Sequence, residues 1–153
     1  YVGFLDVDLE VHCRYIPAML AALEAGNWEG ATALRVYKMQ WRPSFVFRAL
    51  LSVAYRKMVK ILLALPYEDT ETGYKFFRRE AIEPVLKQCR SKGWFWDTEV
   101  MALAHDRGLA ICEIPCLFVR RWDKQSSVKP VRDSMDYLRE IFRFRARREK
   151  DDT

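Results

Sequence analysis

The chain has 153 residues, of which 50% are hydrophobic and 31% are charged, and its formal net charge is +5. This composition excludes an intrinsically disordered chain, and the length fits one domain with a substantial core. No stretch approaches the roughly 18 to 20 apolar residues that span a bilayer, and no signal peptide is apparent. The four cysteines lack the spacing of a zinc ribbon. We therefore expect a globular cytosolic domain with reduced thiols that binds an anionic partner.

The predicted elements alternate between strands and helices, which indicates an α/β fold. The predicted strands are Tyr1–Val7, Ala31–Tyr37, Gly73–Phe77, and the consecutive pair Leu109–Ile114 and Cys116–Arg120, hinged at Pro115. The predicted helices are Tyr15–Ala25, Phe45–Leu65, Arg79 to about Cys89, Asp97-Thr98 (as the cap) to about Arg107, and Asp133 to about Arg148. Because a buried strand opens the chain at Tyr rather than Met, we expect residues 1–153 to be a single partial domain whose amino-terminal part is missing.

Two segments combine apolar and basic residues in a way that suggests contact with a membrane surface. Phe45–Leu65 is strongly apolar, but its four basic residues argue against a membrane-spanning helix. A helix packed on the sheet or resting on a membrane is expected instead. Phe142–Arg148 alternates phenylalanine with arginine, which fits either an anionic membrane or a solvated helix end.

A pair of aspartates, Asp6 and Asp8, follows the first apolar run. Alternation along a strand would point both carboxylates to one face and Val7 to the other. The carboxyl ends of strands are where open α/β sheets bind ligands. Such a pair can hold a hard divalent cation, which in turn can bridge the phosphates of a nucleotide sugar. Asp6 and Asp8 are therefore the candidate metal ligands.

Four blocks of sequence occur in a fixed order along the chain. They are Phe4–Glu10, Asp69–Ala81, Gly93–Val100, and the ending Ile111–Pro115 with Arg120-Arg121 and Ser126–Lys129. Together they resemble family 2 glycosyltransferases of the polyprenyl- and dolichyl-phosphate sugar synthase branch. The resemblance implies the carboxy-terminal part of a GT-A domain, a Rossmann-like mixed sheet flanked by helices. In that family a nucleotide-binding half precedes the Asp-x-Asp strand.

The resemblance also implies a reaction and a cofactor. A sugar would move from a nucleotide-sugar donor to the phosphate of a polyprenyl lipid, with inversion of the anomeric centre. Asp6 and Asp8 would hold Mg²⁺ or Mn²⁺, with Glu10 as a third or water-mediated ligand. A lipid phosphate is already ionised at neutral pH, so the site needs cations rather than a strong base. The protein would work as a peripheral enzyme on the cytosolic face of a membrane, with no nucleic-acid partner.

The basic residues that the resemblance assigns to phosphate binding are Arg35, Arg48, Arg121 and Lys129. Planar guanidinium groups bind phosphate in a bidentate way, which suits the three arginines to hold an acceptor phosphate against the donor. Arg121 is also placed among the catalytic residues. Relatives usually show a Gly-x-Ser-Lys pattern in the loop after this arginine, whereas the loop from Lys124 to Lys129 has no glycine. Lys129 also lies farther from Ser126 than that pattern places it.

Three acidic residues complete the predicted catalytic set. Asp69 opens the family's Asp-x-x-x-Gly-aromatic-basic motif, and Asp97 and Glu99 match its aromatic-Asp-x-Glu motif. Alternative roles remain open at this point, since Asp69 fits a turn cap, Asp97 a helix cap and Glu99 an internal ion pair. The tryptophans beside this motif, Trp94 and Trp96, are expected in the core rather than against a sugar.

Two other functions remain as alternatives. The first is a family 2 enzyme with a saccharide or other non-lipid acceptor, which would need a general base such as Asp69 or Asp97. The second is a non-catalytic basic module that binds nucleic acid or membrane through the arginine-rich end. The chain carries no recognised nucleic-acid motif, and its basic residues are mostly scattered, so we favour the transferase.

Overall fold

The computed structural model describes residues 1–8, 10–37, 43–119 and 130–151, and it leaves out the side chains of residues 43–51, 130–132 and 151. The strands are β1 (Val2–Phe4), β2 (Gly30–Tyr37), β3 (Lys75–Phe77) and β4 (Ile111–Phe118). The helices are α1 (Ile16–Glu24), α2 (Pro43–Leu63), α3 (Arg79–Leu86), α4 (Trp96–Asp106) and α5 (Pro130–Asp151), and a short 3₁₀ turn, Cys13–Tyr15, precedes α1.

The four strands form one mixed sheet in the order β1-β3-β2-β4. Strand β3 is antiparallel to both β1 and β2, whereas β2 and β4 pair in parallel over eight residues each. Strands β1, β2 and β4 therefore run in one direction, and their carboxyl ends lie at the edge where β3 begins. The predicted mixed sheet flanked by helices is confirmed.

The sheet separates two hydrophobic clusters. Phe76 and Phe77 are neighbours on β3 but belong to different clusters, as expected when successive side chains point to opposite faces. Helices α2 to α5 pack on the Phe77 side, and α1 packs on the Phe76 side. Buried members on the first side include Val59, Leu63, Ile82, Val85, Val100, Met101, Ile141 and Phe144, and those on the second include Met19, Leu23, Ala31 and Ala33. Helix α2 thus packs into the core, and no helix in the described ranges is long and apolar enough to cross a bilayer.

The first strand is shorter than the predicted Tyr1–Val7. Strand β1 ends at Phe4, so Asp6 and Asp8 lie in a turn rather than on a strand. Val7 is 91% exposed at the tip of this turn. The expectation that strand alternation aligns the two carboxylates is therefore wrong, and contacts outside the strand orient them instead.

The chain crosses the whole sheet directly after β1. Val11 forms an antiparallel bridge with Phe118 of β4, and the Val119 amide donates to the Glu10 carbonyl at 2.9 Å. Because β1 and β4 are opposite edges of the sheet, the chain between Phe4 and Val11 must pass the start of β3 and the carboxyl end of β2. This crossing brings the two aspartates to the ligand-binding edge of an α/β sheet.

The prediction of two consecutive strands hinged at Pro115 is wrong, since β4 runs unbroken through the proline. The amide of Leu117, two residues later, donates to the Tyr15 hydroxyl at 2.9 Å and not to β2. Backbone groups alternate in direction along a strand, so the missing amide of Pro115 also lies on the side away from β2. An edge strand tolerates proline at such a position without losing a ladder hydrogen bond.

Helix α4 begins differently from the predicted Asp97-Thr98 cap. Phe95 is the residue before the helix, and no side chain caps it. Asp97 and Glu99 lie in the first turn, where negative charge interacts favourably with the helix dipole. The Thr98 hydroxyl instead bonds the hydroxyls of Thr70, at 3.0 Å, and Tyr137. This buried network joins α4 to α5 and to the loop before β3. The other predicted elements differ from those observed by a few residues at their ends.

Candidate active site

Asp6 makes direct contact with the chain segment that leads into β3. Its Oδ2 accepts a hydrogen bond from the Gly73 amide at 3.1 Å. A Cβ atom at Gly73 would lie 2.0 Å from Oδ1 of Asp6. The site therefore requires glycine here, because any side chain would displace the carboxylate.

Asp6 shares its surroundings with two other carboxylates. Desolvation by burial raises the pKa of Asp6, and the negative charges of Asp97 and then Asp8 raise it further. Asp8 closes its own turn, since its Oδ1 accepts from the Glu10 amide at 3.0 Å. Carboxylates that lie close together repel one another, and a bound cation relieves this repulsion.

The arrangement of carboxylates limits how a metal ion could be held here. Within residues 1–8, 10–37, 43–119 and 130–151, no group of three or more His, Cys, Asp or Glu side chains could hold a metal ion. A three-carboxylate cage from Asp6, Asp8 and Glu10 is therefore not assembled, and the role of Glu10 stays a prediction. Asp6 and Asp8 still fit Mg²⁺, which is commonly bound through one or two carboxylates, with substrate phosphates and water completing its shell.

Replacing Gly73 with alanine is expected to weaken Mn²⁺ binding about tenfold, an effect typical of disturbing the support of a metal ligand. The added methyl group pushes the Asp6 carboxylate aside, and this short side chain can rotate away at little cost to the fold. Mn²⁺ titration followed by electron paramagnetic resonance measures the change. The variant Asp6→Ala and the double variant should bind equally weakly, because the methyl group then has nothing to displace. A further loss in the double variant would show that Gly73 acts through another contact.

A second charged cluster surrounds Asp69. Both oxygens of this fully buried carboxylate bind one guanidinium, with Arg35 Nε at 2.6 Å from Oδ2 and Nη2 at 2.8 Å from Oδ1. Arg56 Nη1 lies 3.8 Å from Oδ2. The Asp69 amide donates to Glu113 of β4 at 2.9 Å, which fixes the backbone at this point. Asp69 is thus shielded from solvent and orients Arg35, and the catalytic role predicted for it stays a prediction.

Arg35 lies on β2 among carboxylates. Burial opposes its charge, but the hydrogen bonds and charge of Asp69 outweigh this and raise the pKa of Arg35 above its usual value. Its Nη2 also donates to Glu71 at 3.3 Å. The guanidinium is therefore charged and held in one orientation by Asp69, and its phosphate-binding role stays a prediction.

Glu71 and Arg56 belong to this cluster, although sequence reasoning did not single them out for the site. Burial raises the pKa of Glu71, and the neighbouring charge of Arg35 only partly offsets it. Glu71 Oε1 and Arg56 Nε are buried and have no hydrogen-bond partner in the structure. A signal is present for Glu71, which lies inside the Asp-x-x-x-Gly motif, whereas Arg56 is one of the four basic residues of a long apolar helix and has no motif around it.

Lys75 links the two clusters. It is fully buried at the start of β3, and its Nζ donates to the Thr72 carbonyl and, at 3.0 Å, to Asp97 Oδ1. Burial lowers the pKa of Lys75, and Asp97 and then Asp69 counteract this shift. A lysine that interacts with both aspartates holds Asp97 close to the Asp6 turn. Lys75 is the basic member of the Gly-aromatic-basic motif, so the sequence indicates that this residue belongs to the site. The sequence does not indicate that its partner is Asp97.

Glu99 holds other elements together. Its Oε2 accepts from the amides of Arg90 and Ser91 at 3.0 and 2.7 Å, and its Oε1 binds Arg147 of α5 at 2.8 Å. The structure therefore places Glu99 in an internal ion pair, one of the two roles that the sequence left open. The catalytic role assigned to Glu99 stays a prediction.

A groove opens beside Asp97. Its volume is about 660 Å³, and it is lined by Ser91, Lys92, Gly93, Trp94, Trp96 and Asp97. Trp96 packs edge-to-face on Phe4 with ring centroids 4.9 Å apart. Trp94 is 59% exposed, so the expectation of core burial is wrong for this residue.

Three predicted site residues lie outside the part of the chain for which side chains are described. Arg48 is on α2, but its side chain is among those left out, and Arg121 and Lys129 fall in the undescribed range 120–129. Their phosphate-binding roles stay predictions. Among the predicted site residues with described side chains, those that lie at one edge of the sheet are Asp6, Asp8, Asp69, Asp97 and Arg35.

Comparison with known proteins identifies relatives that are glycosyltransferases, although no family model matches the chain. Glycosyltransferase AglD of Haloferax volcanii is 29% identical over 145 residues, which cover 92% of this chain and 22% of that protein. Dolichyl-phosphate beta-glucosyltransferase of Saccharomyces cerevisiae is 31% identical over 70 residues, covering 46% and 21% respectively. Polyprenol monophosphomannose synthase of Mycolicibacterium smegmatis is 27% identical over 115 residues, covering 74% and 36%.

The chain spans between about a fifth and about a third of the length of these curated relatives. The AglD match covers 92% of the chain, so it includes the Asp69 and Asp97 motifs, which lie well inside the chain. The resemblance found in the sequence is confirmed, since the relatives that this chain matches are glycosyltransferases of the dolichyl-phosphate glycosyltransferase and polyprenol phosphomannose synthase type.

Proposed function

We propose that the protein is an inverting glycosyltransferase that moves a sugar from a nucleotide-sugar donor to the phosphate of a polyprenyl- or dolichyl-type lipid, with Mg²⁺ or Mn²⁺ as cofactor. The observation that carries this proposal is the placement of an Asp-x-Asp turn and an oriented arginine at one edge of the sheet, on both sides of Lys75. The relatives, which are named for glycosyl transfer, support the same class of reaction.

The chemistry of the reaction explains this distribution of charge. An anionic phosphate attacks the sugar while an anionic diphosphate leaves, so negative charge must be neutralised on both sides of the anomeric carbon. Asp6 and Asp8 would hold the divalent cation, which supplies neutralisation of the diphosphate. Arg35, oriented by Asp69 and Glu71, would hold the acceptor phosphate in line with the sugar.

The burial of Asp69 favours a phosphate acceptor over a saccharide. A saccharide hydroxyl needs a general base within hydrogen-bond reach. Both oxygens of Asp69 are occupied by Arg35 and the carboxylate is fully buried, so it is badly placed for that task. Asp97 remains a candidate base, and a saccharide acceptor is therefore the second function to test.

A lipid acceptor also requires the enzyme to work at a membrane surface. We place the protein as a peripheral enzyme on the cytosolic face, with no nucleic-acid partner. The net charge of +5 attracts the protein to anionic lipids. Two exposed apolar side chains, Ile61 on α2 and Phe142 on α5, are available for shallow insertion.

The proposal is tested with protein expressed from the complete gene that contains this chain. It is incubated with a panel of labelled nucleotide sugars, a short polyprenyl phosphate, and Mg²⁺ or Mn²⁺, and label extracted into organic solvent is counted. We expect a lipid-linked product that depends on the acceptor and disappears when the metal is chelated. The anomeric configuration of that product, determined by nuclear magnetic resonance, should be inverted relative to the donor.

Other outcomes would separate the alternatives. Product formed only with a water-soluble saccharide would select the second function. Donor hydrolysis without a glycosylated product would remove the lipid acceptor from the proposal. Neither transfer nor hydrolysis, combined with steeply salt-dependent binding to nucleic acid, would favour the non-catalytic basic module instead.

A further inference from the structure

We propose that Glu113 of β4 is a positioning residue for the acceptor phosphate, because it holds the backbone of Asp69 and thereby sets the orientation of Arg35. This inference rests on the proposed function, and it adds a residue to which that function gives no role. Glu113 lies in the sequence block Ile111–Pro115, and neither metal binding nor direct contact with phosphate explains an acidic residue at this place.

The segment that carries Asp69 has no regular structure of its own. Residues 64–74, between α2 and β3, form neither helix nor strand. Leu65 and Tyr67 are buried among apolar side chains, whereas Asp69 is a fully buried charge. Buried backbone groups need hydrogen-bond partners, and here no helix or strand provides them around Asp69. The position of this carboxylate therefore depends on contacts with side chains.

Glu113 makes the contacts that fix this part of the backbone. Both of its carboxylate oxygens accept from the Glu68 amide at 3.0 Å, and its Oε1 also accepts from the Asp69 amide at 2.9 Å. Such charge-assisted hydrogen bonds are stronger than those between neutral groups. Glu113 lies opposite Thr32 in the parallel pairing of β4 with β2, which extends over eight residues of each strand. The anchor is thus held firmly beside the strand that carries Arg35.

Asp69 is consequently fixed at two points by two neighbouring strands. Glu113 of β4 binds its amide, and Arg35 of β2 binds both of its carboxylate oxygens. Without Glu113 the Asp69 backbone is free to shift, and the guanidinium that follows its carboxylate keeps its charge but changes direction. A guanidinium binds phosphate in a bidentate way only when its planar fork faces the phosphate. Loss of Glu113 should therefore weaken binding of the acceptor phosphate.

The effect should be confined to the acceptor side of the site. Asp6 is held by the Gly73 amide, and Asp97 is held by Lys75, so neither depends on Glu113. A residue that only stabilises the fold would affect both substrates alike. Selective weakening of the acceptor is therefore the signature of positioning.

The test measures the two substrates separately, using protein expressed from the complete gene. Isothermal titration calorimetry gives the Kd of geranyl phosphate and, with Mg²⁺, the Kd of UDP-glucose or GDP-mannose, whichever binds better. In Glu113→Ala we expect the Kd of geranyl phosphate to rise about tenfold and the Kd of the nucleotide sugar to stay unchanged. In sugar transfer, the KM for geranyl phosphate should rise by the same factor at constant kcat. Glu113→Gln should recover most of the loss, because one Oε1 can accept from both amides.

Two further measurements follow the contact itself. Hydrogen exchange monitored by mass spectrometry should become faster at Glu68 and Asp69 in Glu113→Ala, and should not change at the Asp6 turn. In an Arg35→Lys background, Glu113→Ala should not raise the Kd of geranyl phosphate further, because no guanidinium remains to be oriented.

Glu29→Ala is the matched control. Glu29 is half-buried like Glu113, and its Oε2 accepts from the amide of Ala110 at 3.0 Å. Ala110 directly precedes β4, so the same kind of contact is removed at the opposite end of the same strand. Neither Kd should change in this variant.

Failure of this inference differs from failure of the proposed function. An equal loss for both ligands in Glu113→Ala, no loss for either, or a further loss in the Arg35→Lys background overturns the positioning role. A wild-type protein that binds geranyl phosphate but transfers no sugar to it overturns the proposed function, and the Kd values of the variants still decide the role of Glu113. A wild-type protein that binds no geranyl phosphate overturns both.

Discussion

Asp8→Asn is expected to lower the proposed sugar transfer by about 100-fold or more, because a proposed metal ligand loses its charge where the leaving diphosphate would be neutralised. The turn itself should survive, since an asparagine Oδ1 can accept the same hydrogen bond from the Glu10 amide. Initial rates with saturating donor and acceptor measure the loss. Mn²⁺ affinity, measured by electron paramagnetic resonance, should fall in the same variant.

Asp106→Asn provides the matched control. Asp106 binds Arg148 at the far end of α4, ten residues from the start of that helix, so the same chemical change is made away from the site. Transfer should be unchanged in this variant. Wild-type rates and Mn²⁺ affinity in Asp8→Asn would contradict the assignment of a metal to the Asp-x-Asp turn.

Asp69→Ala is expected to destabilise the protein by about 3 to 5 kcal/mol, the range for removing one partner of a buried ion pair. The substitution leaves the Arg35 guanidinium without its bidentate partner and removes the nearest negative charge from Arg56. Urea unfolding followed by circular dichroism measures the change in the free energy of unfolding. Glu83→Ala removes an exposed ion pair with Lys87 and should give no measurable shift of the unfolding midpoint.

A double-mutant cycle identifies the cause of that loss. Arg35→Met alone should also destabilise the protein, because Asp69 then stays buried with weaker compensation. The double variant Asp69→Ala, Arg35→Met should be less destabilised than the sum of the single variants, since neither charge is left alone. Strictly additive losses would show that the contact between these two residues is not what stabilises this part of the fold.

Lys75 couples the two charged clusters electrostatically. Its charge interacts with Asp97, which it also bonds, and with Asp69 and Arg35 of the other cluster. Changes at one cluster should therefore be felt at the other, because buried charges in a low-dielectric region are weakly screened. Variants of Asp97 and Asp69 should accordingly be analysed as a coupled pair rather than as independent sites.

The order of strands and helices could be predicted from hydrophobic periodicity, since each element carries its own pattern over consecutive residues. The same holds for the Asp6–Asp8 pair and for the Asp69 and Asp97 motifs, which are local and keep their spacing in the chain. The end of β1 could not be predicted in this way. Apolar residues continue past Phe4 in the sequence, but the chain leaves the sheet there to cross to β4.

The roles of individual side chains depend on partners that are remote in sequence. Arg35 and Asp69 are 34 residues apart, and Glu99 and Arg147 are 48 residues apart. Trp94 and Trp96 are chemically identical and almost adjacent, yet one packs on Phe4 and the other lies exposed at a groove. Residue types and spacing along the chain thus identify which chemistry the protein carries. Which carboxylate meets which cation depends on how the sheet and helices pack, because local patterns contain no information about contacts between distant segments.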